Sequence, residues 1–250
     1  MNSYYENVIK LKELRGFSAP TEADLKKVLE IIKDDTELSL YFYDALDPGW
    51  VELLDKVGEF EELSEKETGM IGKYKAHYLK HCAETKAGVV LEIIEKINAQ
   101  DINIPGTLIR AIVKMPEETA IKGIGEVIKY LDGQENKWWH VLGDSSAELM
   151  IKLMTNHSDK AFQVAEALLE VWVSEKSTFG KDIVAKFSDD EYSKLMQEHF
   201  SKVWKVEPER AVRVLIKILN RCLDKLDDEG EGEAGYDASR SFGYGLALGD

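Results

Sequence analysis

The chain has 250 residues, 44% hydrophobic and 32% charged, with five prolines. That is enough to bury one large core or two ordinary ones, and it argues against a β-sandwich, which needs frequent turn signals. A net charge of −15 argues against a phosphate backbone or an anionic membrane as the main partner.

No apolar run reaches the roughly 18 residues of a membrane span. The start, Met1-Asn2-Ser3-Tyr4-Tyr5-Glu6, lacks the basic and apolar regions of a secretory leader. Cys82 and Cys222 lie in helical contexts and read as small buried hydrophobes of a reduced, cytoplasmic protein. The acidity is concentrated: residues 44–67 contribute −7 and residues 224–250 contribute −6.

In chain order, Tyr4–Leu14 has helical period and stops at Gly16. Thr21-Glu22-Ala23-Asp24 is a capping box that opens a helix with Leu25, Val28, Leu29 and Ile32 on one face. Thr36 starts the next helix, through Leu46. Pro48 opens another, which carries Trp50, Val51, Leu53, Leu54 and Val57 and closes at Gly58. Helices are expected over Lys73–Ala83, Thr107–Met115, Ser145–Asn156 (box Ser145…Glu148) and Asp189–Val203 (Ser188…Glu191), and no run of strand length competes with them.

Each of these four later helices precedes a segment that starts polar, places alanine at the first buried position and continues with apolar residues. Ala87 leads to Leu91 and Ile94, Ala120 to Ile124 and Val127, Ala161 to Ala165 and Leu168, and Ala211 to Leu215 and Ile218. The anchors are 33, 41 and 50 residues apart, each interval long enough for two helices and their loops. Alanine there lets one helix backbone approach its neighbour closely.

These paired helices and alanine anchors resemble the HEAT-like and armadillo-like α-solenoids, without the HEAT proline in the first helix or the Asp-then-basic ladder. The resemblance implies an all-α superhelix of about six stacked antiparallel helix pairs over residues 1–226. The stretch from Tyr41-Phe42-Tyr43 through Pro48-Gly49-Trp50 to Gly58-Glu59-Phe60 also resembles segments of long bacterial helical-repeat proteins. Residues 227–250 form an acidic, glycine-rich tail that packs no core, and its ending suits a natural terminus and a truncation equally.

Few residues suggest chemistry. His77 and His81 share a helix face at metal-ligand spacing, yet Tyr78 stands where a zinc protease has glutamate and no third ligand is local, so a packed and a solvated histidine is the favoured reading. Trp138 and Trp139 form the aromatic pair best placed to anchor a ligand or partner, against the plainer reading of a wide helix seam. Tyr41, Phe42, Tyr43 and Trp50 read as a core corner before a binding platform.

Arg210, Arg213, Lys217, Arg221 and Lys225 make a cationic stripe opposite an apolar face. It suits an acidic peptide, a phosphate or the chain's own tail, although a solvated face is the plainer reading. The acid run Glu59-Phe60-Glu61-Glu62 reads as solvated, with metal chelation as the remote alternative, and Gly123 and Gly125 read as close-packing positions within a helix.

No nucleophile elbow, P-loop or dinucleotide fingerprint occurs, so no catalytic, cofactor or metal residue is assigned. The expected function is a non-catalytic scaffold, or a module of a larger assembly, that binds a protein or peptide along a concave helical surface. The acidic charge favours basic partner segments. The alternatives are a nucleic-acid enzyme resembling the HEAT-like DNA glycosylases, which the acidity disfavours, and a small-molecule sensor at Trp138 and Trp139.

Overall fold

The amphipathic periods fold as helices. The computed structural model describes residues 3–101, 103–132, 139–169, 171–177, 180–185, 198–199 and 201–227, which divide into two compact units, Met1–Glu126 and Val127–Asp250. In the first unit, α1 spans Ser3–Leu14, α2 Glu22–Ile32, α3 Thr36–Asp44, α4 Val51–Lys56, α5 Gly69–Cys82, α6 Ala87–Lys96, α7 Pro105–Lys114 and α8 Glu117–Ala120.

The boundaries follow local chemistry. The Thr21 hydroxyl accepts from Asp24 N–H at 3.3 Å while Thr21 N–H donates to Asp24 Oδ2 at 3.2 Å, so the capping box forms as expected. The Asp35 carboxylate caps α3 by accepting from Leu38 N–H. Asp47 accepts from Gly49 N–H and sets a 3-10 turn, Pro48–Trp50, that leads into α4. Gly49 is obligatory there, because a Cβ would collide with the Ser18 carbonyl. After α4, Gly58 takes φ +78°, a conformation that favours glycine, and reverses the chain.

Packing in this unit follows one rule. The helices alternate between two rows: α1, α3, α5 and α7 pack successively, as do α2, α4, α6 and α8. Contacts between the rows join α1 to α2, α2 to α3, α5 to α6 and α7 to α8. Lys86 and Lys96, at the two ends of α6, reach Glu52 and Asp55 of α4, each at 2.9 Å. The interior between the rows is apolar, with Phe42, Trp50, Leu54, Leu79, Ile94, Ile109 and Ile112 fully enclosed. The expected corner of Phe42, Tyr43 and Trp50 is therefore core. Phe42 meets the Trp50 and Tyr43 rings edge-on at 5.4 and 5.3 Å.

The division between units falls within α9, Ile124–Asp132. The second unit continues with α10 Trp139–Met154, α11 Ser158–Leu169, α12 Ser201–Val206 and α13 Pro208–Asp227. Here too α10 packs on α11 and α12, and α13 packs on α11 and α12. Between α11 and α12 lies an antiparallel hairpin of β1, Val171–Ser177, and β2, Gly180–Ala185, with Trp172 opposite Val184 and Val173 opposite Ile183. No strand was expected; the β-branched and aromatic residues of Val171-Trp172-Val173 and Ile183-Val184 are those that favour one.

Several expectations are corrected. Ser145 does not cap a helix: α10 starts at Trp139 and carries Ser145 and Ser146 through its interior, both fully buried. Ala120, Ala161 and Ala211 are fully buried, but Ala87 is only half-buried. The enclosed alanine at that corner is Ala83, which follows the end of α5. Gly123 sits in a turn rather than a helix, with Leu91 and Ile112 side chains 3.1 and 3.2 Å from where a Cβ would be. Gly125 is exposed with open space beside it. The helix expected over Asp189–Val203 falls mostly outside the described residues, as does the tail beyond residue 227.

Candidate functional site

The first unit holds two clefts that share one wall, Tyr43. The larger, about 810 Å³, runs along α2 and α4 and is closed below by α3 and α5. Its apolar surface comes from Leu25, Leu29, Leu53 and Ile71. Lys26, Lys33 and Lys56 stand among its lining with Glu22 and Glu30. The amphipathic period of α2 explains this: Leu25, Val28 and Ile32 turn inward, which leaves Leu29 half-buried at the edge of the cleft.

At the floor lies a charge cluster. Lys75, its side chain 6% exposed, places Nζ 2.8 Å from Glu59 Oε2 and 3.2 Å from Glu62 Oε1. The Tyr43 hydroxyl donates to Glu59 Oε2 at 2.8 Å, and Lys75 Nζ sits 5.4 Å from the Tyr43 ring centroid. Burial, reinforced by Glu59 and Glu62, raises the Tyr43 phenol well above its ordinary value, so it remains a donor. Glu62 Oε1 is buried and accepts no hydrogen bond, so its partnership with Lys75 is one of charge alone. The run Glu59–Glu62 is thus not simply solvated: Glu59 and Glu62 turn in to Lys75, Phe60 is buried, and Glu61 is exposed.

The sequence carried a signal for Lys75. Gly72, Ala76, Leu79 and Cys82 form the buried stripe of α5, and Lys75 falls on the same face. A lysine on an apolar stripe needs an acid opposite it.

The second cleft, about 710 Å³, opens between the C-terminal end of α3 and the flank of α5. Its lining includes Tyr74, His77, Tyr78 and His81 from α5, and Asp44 and Asp47 from the end of α3 and the loop after it. The Tyr78 hydroxyl donates to the Asp47 carbonyl at 2.9 Å and ties the two walls together. His77 and His81 are both exposed, so neither is the packed seam residue that was expected. Partial burial, then Lys80 and Arg110, lowers the His77 imidazole below its ordinary range, which makes it neutral at pH 7. Among the described residues no group of three or more His, Cys, Asp or Glu is placed to hold a metal. Cys82 is buried and its thiol is pushed up to about 12, mainly by burial, which makes it inert packing.

The cationic stripe is brought together only in part. Arg210 stacks 4.4 Å from the Phe162 ring centroid and pairs with Asp159, while Arg213 is exposed. The side chains of Lys217, Arg221, Lys225 and Trp139, and all of Trp138, lie outside what the structure describes. Among the described residues no helix is long and apolar enough to cross a membrane. Comparisons with protein-family models, with curated proteins and with solved structures give no match to this chain.

Proposed function

We propose that this chain is a non-catalytic helical-repeat interaction module of the HEAT-like or armadillo-like kind, whose partner segment lies along the second helices of the pairs. The observation that carries this reading is the two-row packing. Every helix from α1 to α6 packs on the helix two places later, the arrangement by which stacked hairpins extend a surface instead of closing a core. The larger cleft lies on the row of second helices, α2 and α4, and its lining of leucine and isoleucine side chains among mixed charges suits an amphipathic segment. The net charge of −15 steers basic partners toward the protein as a whole and makes association slower at high salt.

The test is to pan a random peptide display library against the immobilised full chain and map the selected peptides by hydrogen exchange. A consensus sequence that protects α2 and α4 is expected. The absence of any consensus, or protection confined to the second unit, would refute the reading.

A further inference from the structure

We infer that the second cleft, between the end of α3 and the flank of α5, is a receptor for an arginine side chain of a partner protein, a contact on the row of first helices and separate from the segment seated on α2 and α4. The inference rests on the interaction-module reading and adds the chemistry that one pocket recognises.

The lining decides the sign of the ligand. The larger cleft balances four lysines, Lys26, Lys33, Lys56 and Lys75, against four glutamates, Glu22, Glu30, Glu59 and Glu62. The second cleft is lined by two aspartates, Asp44 and Asp47, and by no lysine or arginine. Asp47 spends one oxygen on Gly49 N–H, and among the described residues its other oxygen accepts no hydrogen bond. Both aspartates stand at or just beyond the C-terminal end of α3, where the helix dipole adds partial negative charge. His77, lowered by partial burial and then by Lys80 and Arg110, favours its neutral form and so does not itself oppose a cation.

The lining also decides the shape of the ligand. Tyr74, His77, Tyr78 and His81 contribute aromatic rings to the lining, and Asp44 and Asp47 contribute carboxylates. A planar, weakly hydrated guanidinium satisfies both at once, by stacking on rings and by donating in parallel to a carboxylate; a compact ammonium does only the second well. The chain already seats one guanidinium at this helix end. Arg15 stacks 4.2 Å from the Tyr41 ring centroid and donates from Nη1 to the Tyr41 carbonyl at 2.8 Å. The second cleft offers the same elements, aromatic faces and helix-end acceptors, without an arginine of the chain among its lining.

The experiment titrates the full chain with acetyl-Gly-Gly-Arg-Gly-Gly-amide and, separately, with its citrulline isostere, while following the imidazole carbon-proton NMR signals of His77 and His81. His77→Gln and His81→Gln assign those signals. Saturable shifts at both histidines with the arginine peptide, and none with citrulline, are expected. Asp44→Asn, which removes an exposed acid from a helix C-terminus and so spares the fold, weakens the arginine response about fivefold. Glu92→Gln, outside the cleft, leaves it unchanged. Equal shifts with citrulline, an unchanged response in Asp44→Asn, or no response at all overturns the assignment. If the titration fails while the display experiment succeeds, only the arginine assignment falls. If it succeeds while display yields no consensus, the interaction-module reading falls and the cleft stands as a guanidinium site.

Discussion

Replacing Lys75 with methionine tests whether the charge cluster beneath the larger cleft holds the first unit together. The substitution keeps most of the side-chain volume and removes the ammonium that lies 2.8 Å from Glu59 and 3.2 Å from Glu62. Removing one member of a fully buried ion pair costs about 3–5 kcal/mol, chiefly because the other charge is stranded. Here the stranded side chains keep 22% and 33% of their surface exposed, and Glu59 retains the Tyr43 hydroxyl. Solvent screening then lowers the expected loss to about 2–3 kcal/mol. For a unit of this size that is a fall in Tm of about 10 °C. Urea unfolding followed through the indole signal of Trp50, the one tryptophan before residue 127, reads this unit selectively. The triple variant Lys75→Met, Glu59→Gln, Glu62→Gln has no stranded charge and should recover to within about 1 kcal/mol of the parent. If Lys75→Met alone is neutral or stabilising, the reasoning is wrong and the cluster does not support the fold.

Three further outcomes are expected. Gly49→Ala should cost about 2–3 kcal/mol in urea unfolding, since its Cβ would meet backbone atoms of Ser18 that have no freedom to rotate away. Burial raises the Asp101 carboxyl, but the bonds from Asn103 and Thr68 outweigh it and leave the group below its ordinary value. Its contribution is therefore fully present above about pH 4 and lost as pH falls through the folded value, so the stability gap between Asp101→Asn and the parent should close on acidification. Arg210→Ala loses a ring contact and a pair with Asp159, whose side chain is 84% exposed, and should cost only about 1 kcal/mol of second-unit stability by circular dichroism.

What was legible in the sequence was local. The Thr21–Asp24 box, the stop before Gly16 and the turn proline at Pro48 each act within four residues, and each appears where the pattern placed it. The Ser145…Glu148 box failed because tertiary packing extended α10 six residues upstream, burying a serine that the pattern had placed at a cap. The clefts were not legible, since their walls meet across the fold: Tyr43 reaches Glu59 over 16 residues, and Tyr78 reaches Asp47 over 31. Lys75 was missed although the period of α5 carries it on the face of Gly72, Ala76, Leu79 and Cys82. His77 and His81 were found for their spacing, but among the described residues no group of three His, Cys, Asp or Glu is placed to hold a metal there.

The 50-residue interval between Ala161 and Ala211 is accommodated by how these helices pack. A helix that rests on its neighbours two places away constrains the length of its own apolar stripe but not the length of the loop that follows. Between α11 and α12 the chain runs from Leu169 to Ser201 and includes a whole hairpin, yet α10 still meets α12 and α11 still meets α13. A single closed core would need every connection to return to a common centre, and an insertion of that size would displace the elements around it. Closing a longer loop costs little extra entropy, about 0.6 kcal/mol per doubling of length. Variation in the loops is therefore tolerated while the stripes on the helices are retained. Ala161 and Ala211 are accordingly both buried one turn into their helices, although 50 residues separate them.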